Sequence, residues 1–195
     1  MKFWLGCAVL LTLAGCGSLV TRQPPPALHD LGSVRDRLNV SRSVRDIEVR
    51  APTWLEGSAM HYRLAYESLT RRDVYAYSRW AAAPAEMLRV ALRRMLETDA
   101  AGDDRACRLH IEIDEFIHDY DRPDLSRALL AGRALLMDSR GQRVLAKLPF
   151  SISEAATNPD AAGGVAAMVR AVDVLGRQIA GWMDSVAVRG AHDGC

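Results

Sequence analysis

The 195-residue sequence contains no Cys-x-x-Cys, no His-Glu-x-x-His, no Walker loop and no Gly-x-Ser-x-Gly elbow. That removes the usual signatures of zinc and redox sites, metalloproteases, nucleotide hydrolases and serine esterases. Neither sign of charge dominates, with 25 Lys and Arg against 24 Asp and Glu spread along the chain. A neutral chain of this kind carries no electrostatic footprint for nucleic acid. No apolar run is long enough to span a bilayer, the one at Phe3 to Ala14 having about a dozen residues. Aromatic residues are scarce, at 6 % of the chain, so their concentration between Trp54 and Trp80 stands out.

The first 15 residues read as a signal peptide. Lys2 supplies a basic n-region, Phe3 to Ala14 an h-region, and Leu13-Ala14-Gly15-Cys16 a bacterial lipobox. Cleavage is expected before Cys16, whose sulfur takes a diacylglycerol as a thioether and whose new amino group takes an N-acyl chain. Residues 16–26 then form a short tether. Its three prolines, Pro24 to Pro26, favour extended polyproline II, so about ten residues reach roughly 30 Å. Removing the signal peptide removes only Lys2 from the charged residues, leaving a net charge of zero. Of the later cysteines, Cys107 and Cys195, two readings stand open. They pair in an oxidising compartment, or, the reading we prefer, Cys107 is half-buried and Cys195 free in a frayed tail over residues 190–195.

Residues 27–189 are expected to form one α+β domain, an antiparallel sheet with two main helices packed on one face. Strands are predicted at Val44 to Val49, Met60 to Tyr66 and Val74 to Tyr77 from apolar alternation bounded by turn residues. A helix begins near Pro84, with Met87, Leu88, Ala91, Leu92, Met95 and Leu96 on one stripe. Arg108 to His118, Leu125 to Met137 and Gln142 to Ile152 form a meander, turning at Asp121–Asp124 and Asp138–Gly141. Small residues at Ala128, Gly132 and Ala134 would admit a helix. A long helix from about Pro159 to Val188 carries Val165, Val169, Val172, Ile179, Trp182, Met183 and Val186 on its apolar face.

No active site emerges. His110, Glu112, Asp114 and His118 fall on one face of a strand, opposite Leu109, Ile111, Ile113 and Ile117. Four ligands along one strand cannot close a tetrahedron, so this is read as a solvated polar face, with no metal. Trp54 and Trp80 flank a run of tyrosines, Tyr62, Tyr66, Tyr75 and Tyr77. The tryptophans either cap the core or, with the tyrosines, offer aromatic anchors to a partner protein.

The order of these segments resembles a known family. After the lipobox and Pro-rich tether come Ala27-Leu-His-Asp-Leu-Gly32, Ile47-Glu-Val-Arg-Ala-Pro52, Trp54-Leu55, Met60-His-Tyr-Arg63 and Tyr77-Ser-Arg-Trp80. A final helix then ends in Ile179-Ala-Gly-Trp182. This resembles the ABC-type transport auxiliary lipoprotein family, which includes the YmbA/PqiC-like proteins, over nearly all of Leu28 to Val186. The resemblance implies an α/β layer fold and an outer-membrane lipoprotein facing the periplasm. It also implies work with an MCE-domain protein, a permease and an ATPase in lipid or organic-solvent transport, with no catalytic residues and no cofactor beyond the lipid on Cys16. His29 stands where many members carry Tyr. Gly17 is not the aspartate associated with inner-membrane retention, which favours the outer membrane. The rival reading is an envelope structural or regulatory lipoprotein, such as an activator of a cell-wall synthase. An enzyme reading ranks third. Exposed strand edges would permit a homo-oligomer, with no residue pattern that requires one.

Overall fold

The computed structural model describes residues 24–33, 37–40, 44–96, 105–188 and 195. The expected signal peptide, Cys16, most of the tether and most of the tail lie outside the described residues. The strands are β1 Ala27–His29, β2 Val44–Arg50, β3 Ala59–Leu64, β4 Asp73–Trp80, β5 Cys107–Arg122, β6 Leu125–Met137 and β7 Val144–Ala155. The helices are α1 Pro84–Leu96 and α2 Ala161–Val188, and a single 3-10 turn occupies Thr53–Leu55. All seven strands join one sheet in the order β1-β4-β3-β5-β6-β7, with β2 also on β5.

The sixteen-residue β5 organises this sheet. One of its edges is taken along its whole length by β6, antiparallel, from Arg108 opposite Met137 to Arg122 opposite Leu125. Its other edge is shared. β2 pairs in parallel with residues Cys107 to Glu112, and β3 in parallel with His118 to Tyr120. The α+β class and the two helices agree with the sequence reading, but the sheet is mixed where an antiparallel one was expected. Connection length explains the difference. The hairpins β3–β4, β5–β6 and β6–β7 have short links and are antiparallel. The chain from β2 and β3 reaches β5 only after passing through α1, and such crossovers join parallel strands. The three-residue β1 was not foreseen, because so short a strand has no periodicity of its own. It exists by pairing in parallel with Ser78 to Trp80 of β4.

A bulge decides which side chains of β5 face the core. The register against β6 shifts between Ile113 and Glu115, leaving Asp114 without a partner. One extra residue flips the alternation of everything after it. Leu109, Ile111 and Ile113 point inward, and beyond the bulge Phe116, His118 and Tyr120 take over that face. The expected row of His110, Glu112, Asp114 and His118 is therefore broken. His118 lies inside at 3 % exposure, and Ile117 moves to the opposite face. The same bulge explains Gly132, which sits opposite Ile113. A Cβ there would run into the Glu112 carbonyl oxygen and the Phe150 ring, so the close approach is made by β5 and β7, and not by a helix.

Both helices contribute to one core. α1 packs on β2 and α2 lies across β6 and β7, with the helices touching each other. The α1 stripe is as the spacing predicts, with Leu88, Leu92 and Leu96 wholly buried, each worth about 1.5–3 kcal/mol of burial. α2 is capped by the preceding Asp160, whose carboxylate accepts the Gly163 N–H at 2.7 Å, the usual way to satisfy an open first turn. Its buried stripe runs through Ala167, Met168, Ala171, Val172, Leu175, Ile179 and Met183, while Val165, Val169 and Trp182 sit at the margin of the core. A small second cluster joins Cys107 and Leu136 to Val186. There Cys107 and Cys195 form a disulfide, their Cα atoms 5.1 Å apart. This corrects the preferred expectation of free thiols. The C-terminal cysteine reaches the first residue of β5 because α2 returns the chain to that end of the sheet. At the outer edge β7 carries the exposed Pro149, which has no N–H to offer a further strand.

Candidate partner-binding site

The residues singled out by the sequence divide into three groups. Trp80 is in the core at 3 % exposure, its ring edge-on to Phe116 with centroids 5.3 Å apart. It caps the core and is not available to a partner. Its neighbour Arg79 bonds back to the Tyr75 and Ser78 carbonyls, so the end of β4 is fixed.

Tyr62 and Tyr75 are brought together, with ring centroids 4.7 Å apart. They belong to a cluster that sequence reading missed, since half of it comes from β5 beyond the bulge. The Tyr75 hydroxyl lies 2.8 Å from His118 Nδ1 and 2.7 Å from the Tyr120 hydroxyl, and the His118 and Tyr120 rings meet at a tilt with centroids 4.6 Å apart. Burial pushes His118 down to about 4, against the pull of Asp160. Burial also raises Tyr75 and Tyr120, and at Tyr75 the bond to Tyr120 adds to the rise. All three are therefore neutral at physiological pH, tied by hydrogen bonds of the uncharged kind. The backbone of α2 seals them. A Cβ on Gly164 would overlap the His118 ring, which leaves no space beside the imidazole for a substrate. The cluster holds the first turn of α2 against the sheet.

Trp54, Tyr66 and Tyr77 are the exposed members, at 53 %, 43 % and 58 %. Among the described residues no ring contact ties them to one another or to the buried cluster. Trp54 lies beneath the Arg72 guanidinium, 5.9 Å from its centroid. Arg72 in turn is held by both oxygens of Glu115 at 2.6 Å. This begins a lattice on the sheet face opposite the helices. Arg63 bridges Glu115 at 3.1 Å and Asp119 at 3.6 Å, and Arg127 meets Asp121 at 2.6 Å. Burial raises the Asp119 carboxyl, and Arg63 and Arg127 oppose that rise. An exposed indole with a fixed guanidinium over its face is a rigid, amphipathic surface feature. Elsewhere, an open groove of about 310 Å³ runs between residues 30–32 and α1, with Glu86 and Arg94 at its margin.

Among the described residues no three His, Cys, Asp or Glu side chains are grouped to hold a metal ion. No helix among them is long and apolar enough to cross a membrane. A family model described as an ABC-type transport auxiliary lipoprotein component matches residues 39–180. A crystal structure of a Xanthomonas campestris protein, described as DUF330, is similar with a TM-score of 0.71 and 22 % identity, covering 84 % of this chain and 97 % of that one. A second crystal structure, of an uncharacterised protein, has a TM-score of 0.64 and 17 % identity, covering 82 % of this chain and 99 % of that one. At these identities the likeness is one of fold. No curated protein matches the sequence.

Proposed function

The chain belongs to the family of ABC-type transport auxiliary lipoprotein components, and from that membership we propose that it is the non-catalytic accessory of an MCE-type system moving lipids or organic solvents. The observation that carries this reading is the family match across residues 39–180, nearly the whole folded domain. In the proposal, signal cleavage exposes Cys16, and a diacylglycerol and an N-acyl chain on that residue anchor the protein. Gly17 favours retention in the outer membrane, so the domain faces the periplasm on a short tether.

The sequence holds no nucleotide-binding loop, so ATP-driven work falls to a partner ATPase and permease. The contribution of this chain is docking. An MCE-domain protein is the proposed partner, and Trp54 and Tyr77 are the exposed aromatic side chains best suited to receive it. Their rigid rings supply contact area at little conformational cost. Behind Trp54 the ion-paired Arg72 and Glu115 hold the site in place.

Affinity purification of the lipidated protein from detergent-solubilised envelopes tests the proposal. Recovery of an MCE-domain protein with its permease and ATPase supports it. Recovery of cell-wall synthases in their place would move the protein to the structural or regulatory class.

A further inference from the structure

Seven of the nine large apolar side chains exposed among the described residues fall on β1, β4, the approach to β3 and the turns beside them. Three of these, Tyr66, Leu69 and Leu125, stand at one end of the sheet, Leu69 with 74 % exposure. That end is built from the β3–β4 connection, residues 65–72, and the β5–β6 turn. The two are joined where the Ala65 N–H donates to the Tyr120 carbonyl at 2.9 Å.

The path of the chain into the fold points to the same end. β1 runs parallel to β4, with Ala27 beside Ser78 and His29 beside Trp80. The chain therefore enters β1 from the side of Asp73, where β4 leaves the 65–72 connection. The length of chain from Cys16 to Ala27 can reach about 34 Å at polyproline II rise. The distance along β4 from the level of Ser78 to that of Asp73 is about 17 Å at strand rise. The reach that remains from this end of the sheet to the lipidated residue is at most about 17 Å.

From this geometry we propose that the rim of Tyr66, Leu69 and Leu125 rests in the surface of the bilayer that holds the anchor. The inference depends on the lipid at Cys16 proposed above. The contact is apolar in kind. The rim arginines are already paired, Arg71 with Glu67 and Asp73, and Arg122 with Asp124, so no basic patch is left to seek anionic lipid. Tyrosine and leucine at a rim with balanced charge suit the headgroup boundary of a zwitterionic membrane. Seated this way, the domain stands with β4 along the membrane normal and the Cys107 end of β5 farthest from the lipid. A rim so held fixes the orientation in which Trp54 and Tyr77 meet a partner.

Full-length lipidated protein in phosphatidylcholine vesicles, with and without brominated acyl chains, provides the test. An environment-sensitive fluorophore is placed on Leu69→Cys, on Leu125→Cys and, as a control well along α2, on Val174→Cys. Bromolipid should quench the probes at 69 and 125 by about twofold or more and leave the one at 174 unchanged. The quenching should persist in high salt. Vesicles that float with bound protein while all three probes stay unquenched overturn the rim contact and leave the anchor intact. Protein that does not float with the vesicles at all overturns both the anchor and the rim.

Discussion

Trp80→Ala and Trp54→Ala separate a core tryptophan from an exposed one, although both flank the same tyrosine run. Trp80 is 3 % exposed and edge-on to Phe116. Burying an indole removes roughly 200 Å² from water, about 5 kcal/mol at 25 cal/mol per Å². Partial relaxation around the cavity brings the measured cost of such truncations to about 3–5 kcal/mol. Trp54, at 53 % exposure, loses part of its burial and a cation–π contact with Arg72 worth about 0.5–1 kcal/mol. Urea unfolding followed by far-UV circular dichroism reads both. With an m-value near 2 kcal/mol/M, Trp80→Ala should lower the midpoint by about 1.5–2.5 M and Trp54→Ala by under about 0.5 M. Binding to a partner should show the reverse order once the Trp80 variant is measured where it is folded. A Trp80 variant within 1 kcal/mol of the parent, or a Trp54 variant as damaged as it, would refute the placement of these rings.

Three other perturbations have defined outcomes. Because His118 titrates near 4 in the folded protein and near 6.5 unfolded, the unfolded chain binds the extra proton between those values. The stability it contributes is therefore complete above pH 6.5 and falls by about 2 kcal/mol on going to pH 5. His61, also lowered by burial, adds in the same direction, and His118→Gln should flatten most of the slope in denaturation midpoints across that window. Reducing the Cys107–Cys195 bond opens a loop with a sequence separation of 88, for which loop entropy gives a loss of about 4–5 kcal/mol. Alkylation of the oxidised protein under denaturing conditions should label neither cysteine. Arg63→Met strips the buried Asp119 of its 3.6 Å partner and should cost about 3 kcal/mol at pH 7. That loss should shrink in thermal melts at acid pH as Asp119 takes up a proton.

The elements with strong periodicity were readable in advance. The α1 stripe from Met87 to Leu96, β6 from Leu125 to Met137 and the body of α2 lie where their spacing puts them, because burial on one face writes a regular pattern. What escaped was non-local. β1 has three residues and no pattern until it meets β4. The parallel pairing of β2 and β3 depends on their sharing one edge of β5, which neither strand encodes alone. The Asp114 bulge carries no local mark, yet it turns His118 from a presumed surface residue into the partner of Tyr75 and Tyr120. Of the aromatic candidates, Trp54, Tyr66 and Tyr77 are exposed, Tyr62 and Tyr75 are half-buried, and Trp80 belongs to the core. Composition counts tryptophans without saying which of them has a Phe116 to pack on. The disulfide was one of two open readings, and only the return of α2 brings Cys195 back to Cys107.

Site-specific photo-crosslinking from Tyr77 in intact cells tests the docking role most directly. A photoreactive phenylalanine analogue at that position, on a strand whose neighbours Tyr75 and Arg79 are held by the fold, reports whichever protein touches the surface. A covalent adduct with an MCE-domain protein, lost when Cys16→Ser prevents anchoring, is the predicted result. Adducts with a cell-wall synthase, or an MCE adduct that persists without the anchor, would contradict it.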